Sequence, residues 1–493
     1  MQETGETPTT LLPIAIDLDG TLVATDTLFE SIVLLARRAP LAMLLLPLWL
    51  TRGLAYFKRA IAQRAGLRVT NLPYREPLLT FLRQERARGR RLVLATAADS
   101  SVADAVAQHL NLFDHVLSSD GLTNLKGQAK LQAIRAHLGA DFVYAGDSAA
   151  DLPIWKGCGK AILVGASASI AVQVRQGCEV EQEFAVAAAG AGHAGRINMW
   201  LQALRVHQWV KNVLLLVPLF TGFYFNNAGK VVDVLLAFLA FSLVASATYI
   251  LNDLWDLDND RQHPRKKSRP LASGRLSIQH GVAGSALLLT CGFALALLLP
   301  DAFLGVLCVY VVTTCTYSWS LKEFVLLDVL ALSVLYTIRI VAGAVCVRAE
   351  LSSWLLAFSV FMFFSLALVK RCSELVTLEA ANRQDSRGRD YRVTDLVILW
   401  PMGVGAALCS TVIFGLFISS PETAARYATP QLLWLSALGL LYWLARLWIK
   451  TARGEMHDDP VVFALRDRGS RLTVLGIVGA VLAAHFLSIG GFK

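Results

Sequence analysis

The sequence has few charged residues for its length. Of its 493 residues, 17% are charged and 55% are hydrophobic, and the mean hydropathy is +0.51. Long apolar runs recur after about residue 210, and several are long enough to cross a bilayer. The scarcity of charge therefore excludes an ordinary soluble protein and places the second part of the chain in a membrane.

Paired cysteines and an N-terminal leader are also missing. None of the eight cysteines forms a CxxC pair, which argues against a disulfide or zinc framework. The start, MQETGETPTT, has neither a basic region nor an apolar run, so we expect no signal peptide and a cytoplasmic N-terminal domain. The net charge of +9 comes without a basic surface that carries interleaved aromatics, and we expect no nucleic-acid partner.

Three short apolar runs in the first part of the chain each end in polar residues. The first leads into DLDGT, which places Asp17 and Asp19 two residues apart at the end of a predicted strand. The second run, RLVLAT, ends in Thr96, and the third, FVYAGDSAAD, contains Asp147 and Asp151. Because α/β sheets bind ligands at the carboxyl ends of their strands, we expect these side chains to face one crevice.

Together with KGQAKLQAIRAHL, these motifs resemble the haloacid dehalogenase superfamily of phosphatases over residues 11 to about 165. The resemblance implies that Asp17 is a nucleophile that forms an aspartyl-phosphate and that Asp19 is the general acid and then the base. Lys126 is the preferred active-site lysine because it opens the predicted helix, with Lys130 as its rival. The residues implied to hold the phosphoryl oxygens are Thr96 and Lys126, and those implied to organise Mg²⁺ are Asp17, Asp147 and Asp151.

A long, mostly helical insertion separates Asp19 from Thr96. In this superfamily an insertion at that place forms a cap over the active site. Residues 41–50 within it are unusually apolar, although Pro47 and Arg52 interrupt the run. This segment fits either the core of the cap or a surface that lies on the membrane, and the sequence leaves both readings open.

The chain divides by composition into a phosphatase domain (1–185), a linker with an interfacial helix (186–204), and a membrane domain (205–493). The loops that follow the even-numbered apolar runs are rich in lysine and arginine, which predicts that they are cytoplasmic and that the phosphatase shares their side of the inner membrane. The nine predicted spans are 211–227, 231–251, 281–299, 302–320, 324–347, 352–369, 396–419, 431–450 and 472–490.

The segment NDLWDLDND follows the second predicted span. Asn252, Asp256 and Asp260 are spaced i, i+4, i+8, which places them on one stripe of a helix. Oxygen ligands on such a stripe suit Mg²⁺ with a bound diphosphate. Nine spans with this motif resemble the UbiA-type prenyltransferase superfamily, in which Asn252, Asp253, Asp256 and Asp260 match the first aspartate motif. The expected fold class is a Rossmann-like α/β domain with a helical cap, followed by an all-α membrane domain of nine helices.

The sequence departs from the prenyltransferases at their second motif. The loop after the sixth predicted span lacks DxxxD and offers cations instead, which suit phosphate groups. The motifs RVHQWVKN, YSWSLKEFVLLD and YTIRIVAGA strengthen a similarity to the polyprenyl-phosphate phosphoribosyltransferase branch. The candidate substrate-binding residues are Lys211, Arg265, Lys267, Arg269, Tyr317, Lys322, Asp328, Arg339, Lys370, Arg371, Arg389 and Tyr391.

This resemblance implies a Mg²⁺-dependent enzyme that transfers 5-phosphoribose from phosphoribosyl diphosphate to a polyprenyl phosphate, with Asp256 essential. The fused phosphatase would then remove the ribose 5-phosphate. The alternative is transfer of a prenyl group from a prenyl diphosphate to an aromatic acceptor, against which the missing second motif counts. A non-catalytic lipid-binding protein is the alternative from another class. The sequence leaves the lipid length and a homo-oligomer open.

Overall fold

The computed structural model describes residues 11–185, 193–382, 389–456 and 459–488. The chain forms two compact units. The first comprises Met1–Leu204 together with Tyr249–Ser285, and the second comprises Arg205–Thr248 together with Ala286–Lys493. The NDLWDLDND segment therefore belongs to the same unit as the N-terminal domain.

A six-stranded sheet forms the centre of the first unit. All its strand pairs are parallel, in the order β3-β2-β1-β4-β5-β6. Ile14 and Ile16 of β1 pack into one hydrophobic core, and Ala15 packs into another on the opposite face. This alternation buries both faces, as parallel sheets require, and confirms the predicted α/β domain. The strands are β1 (Ile14–Ile16), β2 (Leu92–Asp99), β3 (His115–Ser119), β4 (Val143–Gly146), β5 (Lys160–Val164) and β6 (Glu179–Phe184).

Helices cover the sheet and form the predicted insertion between β1 and β2. The linker proposed over residues 186–204 is described only from residue 193, where a helix begins. The α-helices up to this point are α1 (Thr27–Arg38), α2 (Leu46–Thr51), α3 (Leu54–Ala65), α4 (Glu76–Ala87), α5 (Ser100–Leu110), α6 (Gln128–Leu138), α7 (Leu152–Trp155), α8 (Ala168–Gly177) and α9 (His193–Leu204).

The apolar segment of the insertion combines features of both readings that the sequence left open. Trp49 is buried in a small core with Leu35 and Ile61, so part of the segment holds the helical insertion together. Most of its leucines nevertheless face outward. The exposed ones are Leu41, Leu44, Leu45, Leu48, Leu50 and Leu54.

The rest of the chain is helical. Its α-helices are α10 (Val217–Thr221), α11 (Ala228–Trp255), α12 (Leu257–Gln262), α13 (Ile278–Ala296), α14 (Asp301–Trp319), α15 (Leu327–Cys346), α16 (Ser353–Ala380), α17 (Leu396–Ile418), α18 (Pro421–Arg426), α19 (Leu433–Ala452), α20 (Pro460–Arg466) and α21 (Arg468–Phe486).

Within the described residues, eight helices are long and apolar enough to cross a membrane, and the chain is a multi-pass membrane protein. The helices are α11, α13, α14, α15, α16, α17, α19 and α21. Of the nine predicted spans, the first, 211–227, is the one that does not form a continuous long helix. That run forms the end of the 3₁₀ helix Val206–Leu216 and the five-residue α10. Apolar composition alone did not reveal that Pro218 and Gly222 lie within it and disfavour a continuous helix.

Candidate active sites

Three aspartates converge at the carboxyl ends of β1 and β4. Carboxylate oxygens of Asp17, Asp147 and Asp151 lie within 4.8 Å of one another. The strand order explains this, because β1 and β4 are hydrogen-bonded neighbours and their ends meet at one edge. Thr96 lies in β2, on the other side of β1, and its side chain is fully buried. The sheet thus gathers motifs that are up to 134 residues apart (151 − 17) in the sequence.

Lys130 is the lysine that reaches this cluster. Its Nζ donates to Asp17 Oδ1 at 2.9 Å and to the Tyr144 hydroxyl at 3.1 Å. The hydroxyl of Tyr144 donates in turn to Asp151 Oδ1 at 2.7 Å. Burial lowers the pKa of Lys130, but the charges of Asp17 and Asp151 outweigh it and leave that pKa raised. A charged ammonium group therefore lies between two carboxylates.

The preference for Lys126 was wrong in its physical basis. Helix α6 begins at Gln128, two residues after Lys126, so Lys126 does not open it. Its side chain is exposed, whereas Lys130 is buried two residues inside the helix. The intervening Gly127, with φ of +57°, turns the chain before the helix starts. This left-handed residue is what the sequence reading missed.

Two carboxyl groups near Asp17 have strongly raised pKa values. Burial raises the pKa of Asp19 to about 7, and the nearby Asp26 adds to the rise. Burial also raises the pKa of Asp147 to about 7, with further contributions from Asp151 and Asp17. The Asp19 carboxylate accepts the backbone N–H of Thr27 at 2.8 Å. A carboxyl group that titrates near neutrality suits proton transfer.

Gly20 fits between these groups only because it lacks a side chain. Its φ is +78°, and a Cβ at this position would meet the Asp147 carboxylate closer than any real contact allows. The glycine of DLDGT is thus required by both backbone conformation and space.

The NDLWDLDND segment is helical with a break. Helix α11 ends at Trp255, Asp256 is outside helical geometry at ψ 11°, and α12 starts at Leu257. The backbone N–H of Asp256 still bonds to the carbonyl of Asn252 at 2.9 Å, and that of Asp260 to the carbonyl of Asp256 at 2.8 Å. The predicted i, i+4, i+8 relation is therefore kept in the hydrogen bonds, although the single straight helix is not.

Two carboxylates of this segment share one cation. Arg269 Nη1 lies 3.0 Å from Asp253 Oδ1 and 2.5 Å from Asp260 Oδ2. Lys266 is 3.9 Å from Asp260. Of the other candidates in this loop, Arg265 and Lys267 are exposed around the 3₁₀ turn Lys266–Ser268.

In the second unit, five predicted residues form one buried network. Asp328 is fully buried and accepts from Arg371 Nε and, at 2.5 Å, from the Tyr391 hydroxyl. The remaining nitrogens of Arg371 bond Glu374 at 2.6 Å and the Tyr317 hydroxyl at 3.3 Å. Arg389 completes the network with a 2.8 Å contact to Glu374. Arg371 thus has protein partners for all three of its nitrogens.

A second cluster surrounds Asp459. Lys211 Nζ lies 2.7 Å from its carboxylate, the Tyr336 hydroxyl 3.2 Å and Lys370 Nζ 3.8 Å. Burial raises the pKa of Asp459, but the charges of Lys211 and Lys370 outweigh it and hold that pKa well below its usual value. Lys211 and Lys370, predicted to bind substrate, therefore converge from distant parts of the chain.

Arg339 and Lys322 are the remaining candidates, and Arg339 borders the Asp459 cluster, with its guanidinium 5.7 Å from the centre of the Tyr336 ring. Arg339 donates through Nε to Asn212 Oδ1 at 2.9 Å, and Asn212 donates to Ser242 at 2.9 Å. The Arg339 guanidinium lies 5.1 Å from the centre of the Tyr310 ring. Lys322 lies in the 3₁₀ turn Leu321–Glu323.

Comparison with protein families decides the identity of the two parts. The model of the UbiA prenyltransferase family matches residues 215–467. The chain belongs to the UbiA prenyltransferase family. The model of the haloacid dehalogenase-like hydrolases matches residues 14–156, so this UbiA protein also carries an N-terminal hydrolase-like domain.

Relatives of this UbiA family member include whole-length and partial matches. An uncharacterized protein, y4nM of Sinorhizobium fredii, is 40% identical over 97% of this chain and 90% of its own. The decaprenyl-phosphate phosphoribosyltransferase of Corynebacterium glutamicum is 33% identical over 46% of this chain and 69% of its own. A solved UbiA homologue from Archaeoglobus fulgidus, bound to GPP and Mg²⁺, aligns with 58% of this chain and 99% of its own at 15% identity and a TM-score of 0.44.

The donor atoms of the cluster on the sheet fit a divalent cation. Carboxylate oxygens of Asp17, Asp147 and Asp151 lie close enough together to bind one ion jointly. Carboxylate oxygen is the ligand type that Mg²⁺ prefers. In the NDLWDLDND segment, Asp253 and Asp260 already face one positive group, the Arg269 guanidinium. The cluster on the sheet can therefore hold a divalent cation, whereas in this structure Asp253 and Asp260 are paired with the Arg269 guanidinium.

Sequence reasoning missed several residues of these clusters. Nothing in the local sequence distinguishes Tyr144 from other strand residues. Its role is visible only in the structure, where its hydroxyl contacts Lys130. Asp459 caps helix α20, since its carboxylate accepts from the Val461 N–H at 3.2 Å. Its contact with Lys211 spans 248 residues and left no local signal. Glu374 was not missed: it belongs to the segment after the sixth predicted span that the sequence already offered with Arg371, and it lies one helical turn beyond that arginine.

Proposed function

We propose that this protein transfers 5-phosphoribose from phosphoribosyl diphosphate to a polyprenyl phosphate and then removes the ribose 5-phosphate with its hydrolase domain. The observation that carries this proposal is the Asp328–Arg371–Glu374–Arg389 network. It joins α15, the C-terminal part of α16 and Arg389 of the following segment, the region where the prenyl-transferring branch is expected to carry a second carboxylate pair. The similarity to the corynebacterial phosphoribosyltransferase supports the same reading.

The transfer step exchanges one bond at the anomeric carbon. A phosphate oxygen of the lipid forms a bond to this carbon, and the bond to the diphosphate leaving group breaks. Asn252, Asp253, Asp256 and Asp260 would hold Mg²⁺, which neutralises the charge that develops on the diphosphate when it is bound. Arg269 and Lys266 lie beside these carboxylates and add positive charge.

The hydrolase step uses the cluster on the sheet. Asp17 attacks the phosphorus of the ribose 5-phosphate, and Asp19 gives its proton to the leaving ribose oxygen. Asp19 then takes a proton from the water that cleaves the aspartyl-phosphate and releases phosphate. Lys130 and Thr96 hold the phosphoryl oxygens, and Asp17, Asp147 and Asp151 would hold the Mg²⁺ that offsets repulsion between the anions.

We also propose that both sites lie on the cytoplasmic face of the inner membrane. The loops rich in lysine and arginine, including the one after α11, support this orientation. Phosphoribosyl diphosphate and other charged metabolites are available on that face.

A doubly labelled donor tests the proposal. Purified protein would be incubated with a polyprenyl phosphate and phosphoribosyl diphosphate that carries one label in the ribose and another in the 5-phosphate. Wild type should give a lipid with the ribose label alone, whereas Asp17→Asn should give a lipid with both labels. Absence of any labelled lipid would overturn the transferase, and retention of both labels by wild type would overturn the second step.

Prenyl transfer is the competing function, because the first aspartate motif is shared with enzymes that use prenyl diphosphates. Its test is competition between donors in the same assay. Phosphoribosyl diphosphate should be consumed in the presence of a prenyl diphosphate, and a prenylated acceptor as the sole product would favour the competitor.

A further inference from the structure

A buried ion pair joins two distant segments of the first unit. The Glu30 carboxylate lies 3.1 Å and 2.5 Å from the Nη1 and Nη2 atoms of Arg261. Arg261 Nε donates to the carbonyl of Ala272 at 3.0 Å. The side chains of Arg261 and Glu30 are 9% and 5% exposed, so a two-pronged charged contact is made away from water. Such a contact is specific in geometry, and loss of one partner leaves the other charge buried.

Other contacts surround this pair. Asn71 donates to Asp258 at 2.5 Å, and Arg68 lies 3.8 Å from the same carboxylate. A Cβ at Gly274 would collide with the carbonyl of Ala24, so two backbone segments approach closely there. The short helix α12, which carries Asp258 and Arg261, is thus packed against the start of α1 and the turn before α4.

Glu30 leads directly to the proposed general acid. It lies in the first turn of α1, and its Oε1 atom accepts from the Thr25 hydroxyl at 2.7 Å. The backbone carbonyl of Thr25 also accepts the backbone N–H of Gly20 at 3.1 Å. Thr27, the first residue of α1, donates its N–H to Asp19 at 2.8 Å. The loop that carries Asp19 is therefore fixed at the same end of α1 that Arg261 holds.

We propose that Arg261 is a positioning residue for the hydrolase reaction. Through Glu30 it holds the start of α1 and the Asp19 loop in the geometry needed for proton transfer to the leaving oxygen. Arg261 directly follows Asp260 of the metal-binding segment, so the segment proposed to bind diphosphate also completes the hydrolase site. This inference rests on the proposed phosphatase activity.

The dependence on the leaving group separates positioning from general structural support. Ribose 5-phosphate releases a basic alkoxide and needs the proton from Asp19, whereas p-nitrophenyl phosphate releases a weakly basic phenolate and needs it little. The full-length protein would be assayed with both substrates. For each substrate, kcat/KM of the variant would be compared with that of wild type, because this ratio reports formation of the aspartyl-phosphate. For Arg261→Gln we expect a loss of about tenfold with ribose 5-phosphate and of about twofold or less with p-nitrophenyl phosphate.

Matched variants complete the test. Glu30→Gln should reproduce the selective loss, and the double variant should lose no more than either single one, because one contact is removed in each case. Arg83→Gln, an exposed arginine of α4, is the control and should behave as wild type. If Arg261→Gln does not fold, Arg261→Lys keeps the charge but loses the two-pronged contact and serves in its place.

The outcomes are distinct. An equal loss with both substrates, or additive losses in the double variant, overturns the positioning role. Wild type without activity on either substrate refutes the proposed phosphatase itself, and the inference with it.

Discussion

At Lys130, burial and charge act together to define the hydrolase site. The ammonium group lies between Asp17 and Asp151, 2.9 Å from the former and 3.9 Å from the latter. A lysine in this position reduces the repulsion that an incoming phosphate dianion would meet from the carboxylates. The exposed Lys126 has no comparable surroundings.

Lys130→Met should therefore reduce phosphatase kcat/KM by about 100-fold or more, the usual effect of removing a key electrostatic group. Lys126→Met should stay within about twofold of wild type, since this side chain is exposed and surface changes are usually small. The measurement is hydrolysis of p-nitrophenyl phosphate, with thermal melting to check folding. A larger loss for Lys126→Met would restore the reading made from the sequence.

Asp328 and Arg371 make a second residue-scale prediction. Both are almost fully buried, and among the residues that the structure describes Arg371 keeps Glu374 as its anionic partner once Asp328 is removed. Asp328→Ala should destabilise the protein by about 3–5 kcal/mol, the cost of breaking a buried pair on one side. Tyr391→Phe removes one hydrogen bond to the same carboxylate and one from the Leu326 N–H, and it should cost about 1–3 kcal/mol. Denaturant unfolding in mixed micelles measures the free energy of unfolding of both variants. Equal decreases would contradict the prediction that the ion pair contributes more than the tyrosine.

At the scale of elements, the break between α11 and α12 determines how the carboxylates of NDLWDLDND are presented. The sequence predicted their spacing correctly, because hydrogen bonds at i, i+4 persist through Asp256. It did not predict the break itself. No proline or glycine marks it in the sequence, and α12 instead packs through Asp258 and Arg261 onto distant residues.

Asp256→Ala should abolish ribosyl transfer, with a fall of about 100-fold or more, because a carboxylate at the proposed diphosphate site would be lost. Hydrolysis of p-nitrophenyl phosphate should stay unchanged, since the Arg261–Glu30 pair is intact. Asn259→Ala, an exposed neighbour in α12, is the control. Full transfer activity in Asp256→Ala would refute the catalytic role and favour a lipid-binding protein.

The parallel sheet shows which features of an element can be predicted from local sequence. Strand ends were readable at Asp17 and Asp147 because each short apolar run stops at a polar side chain, whereas β2 continues past Thr96 to Asp99. The first predicted span is different, because it is broken near Pro218 and Gly222. Residues 211–227 are apolar, but Asn212 and Lys211 make buried contacts with Ser242 and Asp459, and long-range pairing of this kind leaves no periodic signal.

At the scale of the whole molecule, the two proposed activities would be joined in one chain. A product released by the membrane domain meets its own hydrolase at an effective concentration set by the connection, and this can exceed the concentration of free enzyme by orders of magnitude. The benefit depends on both domains being covalently linked, and it disappears when the two activities are carried by separate molecules.

Separation of the two activities tests this advantage. Asp17→Asn, which keeps the transferase, and Asp256→Ala, which keeps the hydrolase, would be reconstituted into separate nanodiscs and mixed one to one. A separate sample of wild-type nanodiscs, with the same total concentration of active sites, is the comparison. The wild type should convert labelled phosphoribosyl diphosphate to dephosphorylated lipid without a detectable phosphorylated intermediate. In the mixture, the lipid product stays in the bilayer of the transferase-active disc, since several buried CH₂ groups each contribute about 0.8 kcal/mol to retention. The 5-phosphate should therefore persist there, and a mixture that matched wild type would show that the fusion is not needed for the second step.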